Sequence, residues 1–169
     1  NPAQEARQLL RSHRYGVLST ISKKFNGHPF GSITQYLVDQ DGSLLILISN
    51  LAEHTKNIIN DPRISLITHD QNNSNIMTQG RVTVIGNAQP EPDREHVALR
   101  YTRYFPEVAT YLAMQDFSFY RIQPIAIRFI SGFGKIHWVN MENYSDTQSE
   151  IFLQKEGSLL DIVHSKKHE

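Results

Sequence analysis

The chain has 169 residues, 39% hydrophobic and 20% charged, a balance that suits one globular domain of ordinary size. Lys and Arg number 17 and so do Asp and Glu, so no global field exists to hold nucleic acid or an anionic membrane, and any anion site must be local. The absence of cysteine excludes thiol catalysis, disulfides and iron–sulfur ligation by this chain, and it fits the reducing cytoplasm expected as its location.

No signal-like segment follows Asn1. Ala3, Ala6, Leu9 and Leu10 recur at helical spacing and predict an amphipathic helix over 3–13. A short β-rich segment, 15–21, comes next. Asn26-Gly27, two residues that tolerate positive φ, then predicts a hairpin into a second strand over 29–38. Asp39-Gln40-Asp41-Gly42 is a turn, and 43–48 a third strand. Its run Leu44–Ile48, the longest apolar run and too short to cross a bilayer, lacks alternation, so both faces are expected to be covered. Asn50 is the expected cap of a helix over 51–60, ended by Asp61-Pro62. A fourth strand is expected over 63–68, a polar loop over 70–75 and a fifth strand over 76–88. Asp93 should cap a helical segment whose apolar side holds Val97, Tyr101, Tyr104, Phe105, Val108, Tyr111 and Leu112, with a break at Pro106. Residues 117–123 and 126–130 read as strands, or as one strand interrupted at Pro124. Gly132-Phe133-Gly134 reads as a bulge before a last strand over 135–139. Ser158-Leu159-Leu160-Asp161 has a capping-box pattern and predicts a final helix over 159–167. Tight turns join most consecutive strands, which predicts antiparallel pairing, and such a sheet needs closed or covered edges, so a small barrel is favoured.

The best local anion candidate is the stretch 49–63. A helix start after a strand presents free N–H groups and the positive end of a dipole, and His54, Thr55, Lys56 and Asn57 add donors there. The plain alternative is an ordinary capped surface helix. Arg81, Ser19, Thr20 and Ser32 lie in predicted strands, where each alone reads as a routine strand residue. His164 and His168, four apart, share one face if the tail is helical. Tyr101, Tyr104, Phe105, Tyr111 and Trp138 read as core or dimer packing.

Four stretches carry a resemblance. They are Gly27-His28-Pro29-Phe30-Gly31-Ser32, Ser49 to Asn57 with Asp61-Pro62-Arg63, Asp116 to Pro124, and Gly132-Phe133-Gly134-Lys135. Together they resemble the FMN-binding split barrel of the pyridoxamine-phosphate-oxidase superfamily, and the last two resemble its haem-utilisation, HugZ/HutZ-like branch. The resemblance implies a mainly β fold with flanking helices: a six-stranded antiparallel split barrel over 1–140 and a C-terminal tail over 141–169 with a short helix. It implies a homodimer with the cofactor between protomers; the neutral charge balance and short apolar runs already lead to the expectation of no nucleic-acid or membrane partner. It also implies haem and/or FMN as cofactor. For FMN, His54, Thr55, Lys56 and Asn57 would grip the phosphate, while Ser32 and Arg81 would border the ring. For haem, His168 or His164 would ligate the iron, and Asp116 would support that ligand and serve as the catalytic group. Haem degradation for iron acquisition is the activity implied; an FMN-dependent oxidoreductase and a cofactor-free, non-enzymatic member are the alternatives. Pyridoxamine-phosphate oxidation itself is disfavoured, because the tail Ser165-Lys166-Lys167-His168-Glu169 lacks the Arg-x-His substrate motif.

Overall fold

The computed structural model describes residues 1–145. The expected helix over 159–167 lies outside them, as do His164 and His168. In chain order the elements are α1 (Pro2–Ser12), β1 (Tyr15–Ile21), β2 (Pro29–Gln35), β3 (Leu37–Val38), β4 (Leu44–Ser49), α2 (Glu53–Asn60), β5 (Arg63–His69), β6 (Arg81–Pro90), α3 (Arg94–Tyr104), a 3₁₀ turn (Pro106–Val108), α4 (Ala109–Leu112), β7 (Phe117–Ile130), β8 (Ile136–Trp138) and α5 (Met141–Tyr144).

All strand pairs are antiparallel, in the order β2-β1-β5-β6-β7-β4-β3. The two ends of that order are halves of one strand broken at Tyr36, so the sheet curls round and its path returns to its start. Tyr36 makes the break by turning inward: its N–H donates to the Arg14 carbonyl at 3.0 Å and its hydroxyl to the Leu10 carbonyl at 2.6 Å. Six strands make this circuit. Strand β8 pairs with β7 beyond the point where β4 stops and is a seventh, against the six expected. The fold is a split barrel of the pyridoxamine-phosphate-oxidase type.

The core has two layers that share β4. Leu44, Ile46 and Ile48 face a barrel interior containing Leu18, Leu66, Val82, Val84 and Ile127, plugged by Ala3, Ala6 and Leu10 of α1. Leu45 and Leu47 face a second cluster under α3, with Val97, Tyr101, Phe105 and Phe119. The unbroken apolar run of β4 is therefore covered on both sides, as expected. Each buried Leu, Ile, Val or Phe among them stabilises the fold by about 1.5–3 kcal/mol. Tyr144 of α5 closes the barrel end, donating to the Gly42 carbonyl at 2.7 Å.

Several local expectations are corrected. Asn50 does not cap α2; the cap position is Ala52, which lends no side-chain hydrogen bond, and the Asn50 carboxamide oxygen instead accepts from Ser118 Oγ at 2.9 Å. The fifth strand does not begin at Ile76, because 71–80 is a looped segment held by Asn73 and Asn75 side chains and β6 starts at Arg81. Pro124 does not interrupt β7. A bulge opposite Ile85 and Gly86 absorbs it, with Gly86 so close to the Gln123 carbonyl that a Cβ would sit 2.3 Å away. Gly132-Phe133-Gly134 is the turn of the β7–β8 hairpin and not a bulge; all three residues have positive φ. The hairpin turn at Asn26-Gly27 (φ 51° and 83°) and the Asp93 cap, which accepts from the His96 N–H at 3.3 Å, are as expected.

Candidate functional site

Helix α2 leaves the end of β4 and lies against β1, and its anion-binding promise divides in two. Thr55 and Asn57 are fully buried. Thr55 Oγ1 donates to the Ser49 carbonyl at 2.6 Å. Asn57 donates from Nδ2 to Thr20 Oγ1 at 3.0 Å and accepts at Oδ1 from the Lys23 N–H at 3.1 Å. These side chains fasten the helix to the barrel, and their polar atoms are engaged internally. Lys56 is exposed and free of such duties. His54 is half-buried, its Nε2 has no hydrogen-bond partner among the described residues, and burial lowers its pKa, so the imidazole is neutral at pH 7. Glu53 occupies the first turn, where an anion would otherwise meet the dipole alone.

Asp116 comes to the same end of the barrel. Ser49 pairs with Phe117 across β4 and β7, and the Asp116 carbonyl accepts from the Asn50 N–H at 2.6 Å, while its carboxylate side is exposed. The start of α2 and the start of β7 are thus one neighbourhood, although the sequence separates them by more than 50 residues.

Arg81 lies elsewhere. It pairs with His69 at the far end of β5, six residues beyond Arg63, the first residue after the α2 turn. At roughly 3.3 Å per residue this is about 20 Å from α2 within one protomer. Arg81 Nη2 donates to the Ile76 carbonyl at 2.7 Å, and its Nε is buried without a partner. Ser32 sits on β2 opposite Leu18, with its Oγ also buried and unpartnered. One protomer therefore places the start of α2 and Asp116 at the same end of the barrel and holds Arg81 apart. Among the described residues no cluster of His, Cys, Asp or Glu could hold a metal ion.

The outer surface of the sheet is the other notable feature. Alternation sends Leu18, Leu66, Val82 and Phe129 inward, so their neighbours face out. Cross-strand register aligns Ile33, Val17, Ile67, Thr83, Arg128 and Trp138 in one row over six strands. Ile33 is 68% exposed and Trp138 62% exposed, so Trp138 is not a core residue. Sequence reasoning passed over Arg128, because only the register shows that it shares a face with Arg81 and Trp138.

Residues 1–146 match the family described as CREG, β-barrel. The chain belongs to that family. Its relatives include the non-canonical haem oxygenase HOZ of Arabidopsis thaliana chloroplasts, 36% identical over 135 residues, which are 78% of this chain and 41% of that protein. The haem oxygenase HutZ of Vibrio cholerae is 26% identical over 149 residues, 84% of this chain and 83% of HutZ. Among solved structures, a haem-binding protein from Mycobacterium smegmatis superimposes with a TM-score of 0.77 at 27% identity, covering 86% of this chain and 60% of that one. The chain thus spans about two fifths of the plant relative's length. These relatives bear out the resemblance to the haem-utilisation branch. No helix among the described residues is long and apolar enough to cross a membrane.

Proposed function

We propose that this chain binds and degrades haem as a C2 homodimer, with the ligand held between protomers. The observation that carries the reading is the 36% identity to a haem oxygenase over 78% of the chain. The geometry fits that reading. Asp116 and Arg81 lie at opposite ends of a protomer, so a single ligand touching both must take them from two copies. The outer row Ile33, Val17 and Ile67 supplies an apolar face for that contact.

In this arrangement a tail histidine, His168 or failing that His164, ligates the iron. Asp116 of the neighbouring protomer accepts a hydrogen bond that orients the imidazole and raises its basicity. Bound haem supplies the redox chemistry of its iron, and an outside reductant supplies electrons. FMN is the second reading. It is favoured by the exposed Lys56 near the start of α2.

Haem titration followed in the Soret region tests the proposal. The full chain should give a shifted Soret band, and the chain cut after Gly157 should lose it while keeping the dimer mass by light scattering. A truncated chain that binds haem as well as the parent would discard the tail histidines, and a monomer mass for the parent would discard the shared site.

A further inference from the structure

We propose that Arg128, laid on Trp138, forms with Arg81 the acid-binding edge that orients the proposed porphyrin by its carboxylates; this rests on the haem reading above. The Arg128 guanidinium carbon lies 5.0 Å from the centre of the Trp138 ring. That contact sets the positive charge over the ring face, and the N–H groups of the fork stay available to an acceptor. Among the described residues Arg128 has no carboxylate partner. This contrasts with Arg121 of the same strand, whose fork is engaged by Asp39 and Glu91.

Arg81 is its diagonal neighbour. Thr83 pairs with Arg128 and Arg81 with Ile130, so the two arginines sit two residues apart on adjacent strands and on one face. Diagonal neighbours of this kind are about 7–8 Å apart at Cα, within reach of one ligand for side chains as long as arginine. None of β1, β2, β5, β6, β7 and β8, which build the face, contains an Asp or Glu. Toward β8 the surface beside the pair is apolar, with Ile136 next to Ile130 and Phe133 87% exposed at the hairpin tip, while Thr83 faces Arg128 and His69 faces Arg81 on the other side. A flat apolar ring system with two acids on one edge matches this pairing of an apolar flank with two cations. An inorganic anion or a neutral ring would use only half of it.

The fork geometry of arginine suits a carboxylate, so the effect should be charge-specific on the ligand side. The test compares metal-free protoporphyrin IX, which carries two carboxylates, with its neutral dimethyl ester, in the same detergent and with the full chain. Trp138 is the single tryptophan, so quenching of its emission gives both isotherms. Arg128→Ala should weaken binding of the diacid about tenfold, the low end for hydrogen bonds to charged groups, and binding of the ester less than about twofold. Arg128→Lys should recover part of the loss. Equal losses for diacid and ester, or none for either, would overturn the inference while leaving the haem reading standing. Equal losses with a fall to the monomer mass would give the face to the second copy instead. A parent that binds neither porphyrin would end both readings.

Discussion

Asn57 is the residue on which the sequence and the structure diverge most usefully, and replacing it by alanine separates a fold role from a phosphate role. Asn57 is fully buried and joins three elements: its own helix α2, Thr20 on β1, and the Lys23 backbone after β1. Asn57→Ala removes two hydrogen bonds, each contributing about 0.5–1.5 kcal/mol net, and leaves the Lys23 N–H without its acceptor, which costs a further ~1 kcal/mol or more. Thr20 Oγ1 keeps only a long contact of 3.5 Å to the Phe30 carbonyl, so it finds little compensation. The expected loss is about 3 kcal/mol, equivalent to a fall in Tm of roughly 6–12 °C for a domain of this size. Urea unfolding should show a lower midpoint at an unchanged slope. A variant within about 0.5 kcal/mol of the parent would refute the fastening role and return Asn57 to the ligand.

The other predictions follow the same logic. Lys56→Ala should leave stability within about 0.5 kcal/mol but weaken FMN, where FMN binds, by about 1.5 kcal/mol; calorimetric titration giving riboflavin the affinity of FMN would remove the phosphate site altogether. Arg121→Met should destabilise by about 3 kcal/mol in urea unfolding, because Glu91 would stay half-buried without its cation and Asp39 would keep only Arg100. In Asp39 burial alone would raise the pKa, but the Arg121 hydrogen bond, the Gln40 N–H and the charges of Arg100 and Arg121 bring it below the usual value. That stability is present above about pH 4 and lost as the pH falls through the lower folded value. His54 acts in a higher window. Burial lowers its folded pKa, so the unfolded chain takes up the proton first, and stability should decline as the pH falls below about 6.5. Burial lowers the His13 pKa as well, so His54→Gln should make that limb of a Tm-against-pH curve shallower without abolishing it, and an unchanged limb would show that the imidazole is not buried in solution.

Most strands, their antiparallel pairing and a closed sheet were legible because their signals are local, while the order of the strands in the sheet was not. Asn26-Gly27 announces its turn, and β4 is apolar at every position because both its faces are covered. The errors arose where a tertiary contact overrode a local preference. Asn50 has a capping side chain, yet Ser118, 68 residues away, claims it. Residues 76–80 are β-prone, yet Asn73 and Asn75 bind their backbone and side chains into a loop. The candidate site was half legible for the same reason. The residue types at 54–57 suggested a phosphate cradle, but which of those polar atoms remain free depends on Thr20, Lys23 and Ser49. Arg128 could be recognised only from the register that sets it beside Arg81 and Trp138.

Aerobic turnover of the haem-loaded protein tests the central reading most directly. Ferric haem is bound to the full chain, ascorbate is added in air, and the Soret band is followed together with ferrous iron captured by a coloured chelator. A haem-degrading protein should lose the Soret band and release iron in step with that loss, and Asp116→Asn should slow both. A Soret band that persists in ascorbate with no iron released would contradict haem degradation by this chain.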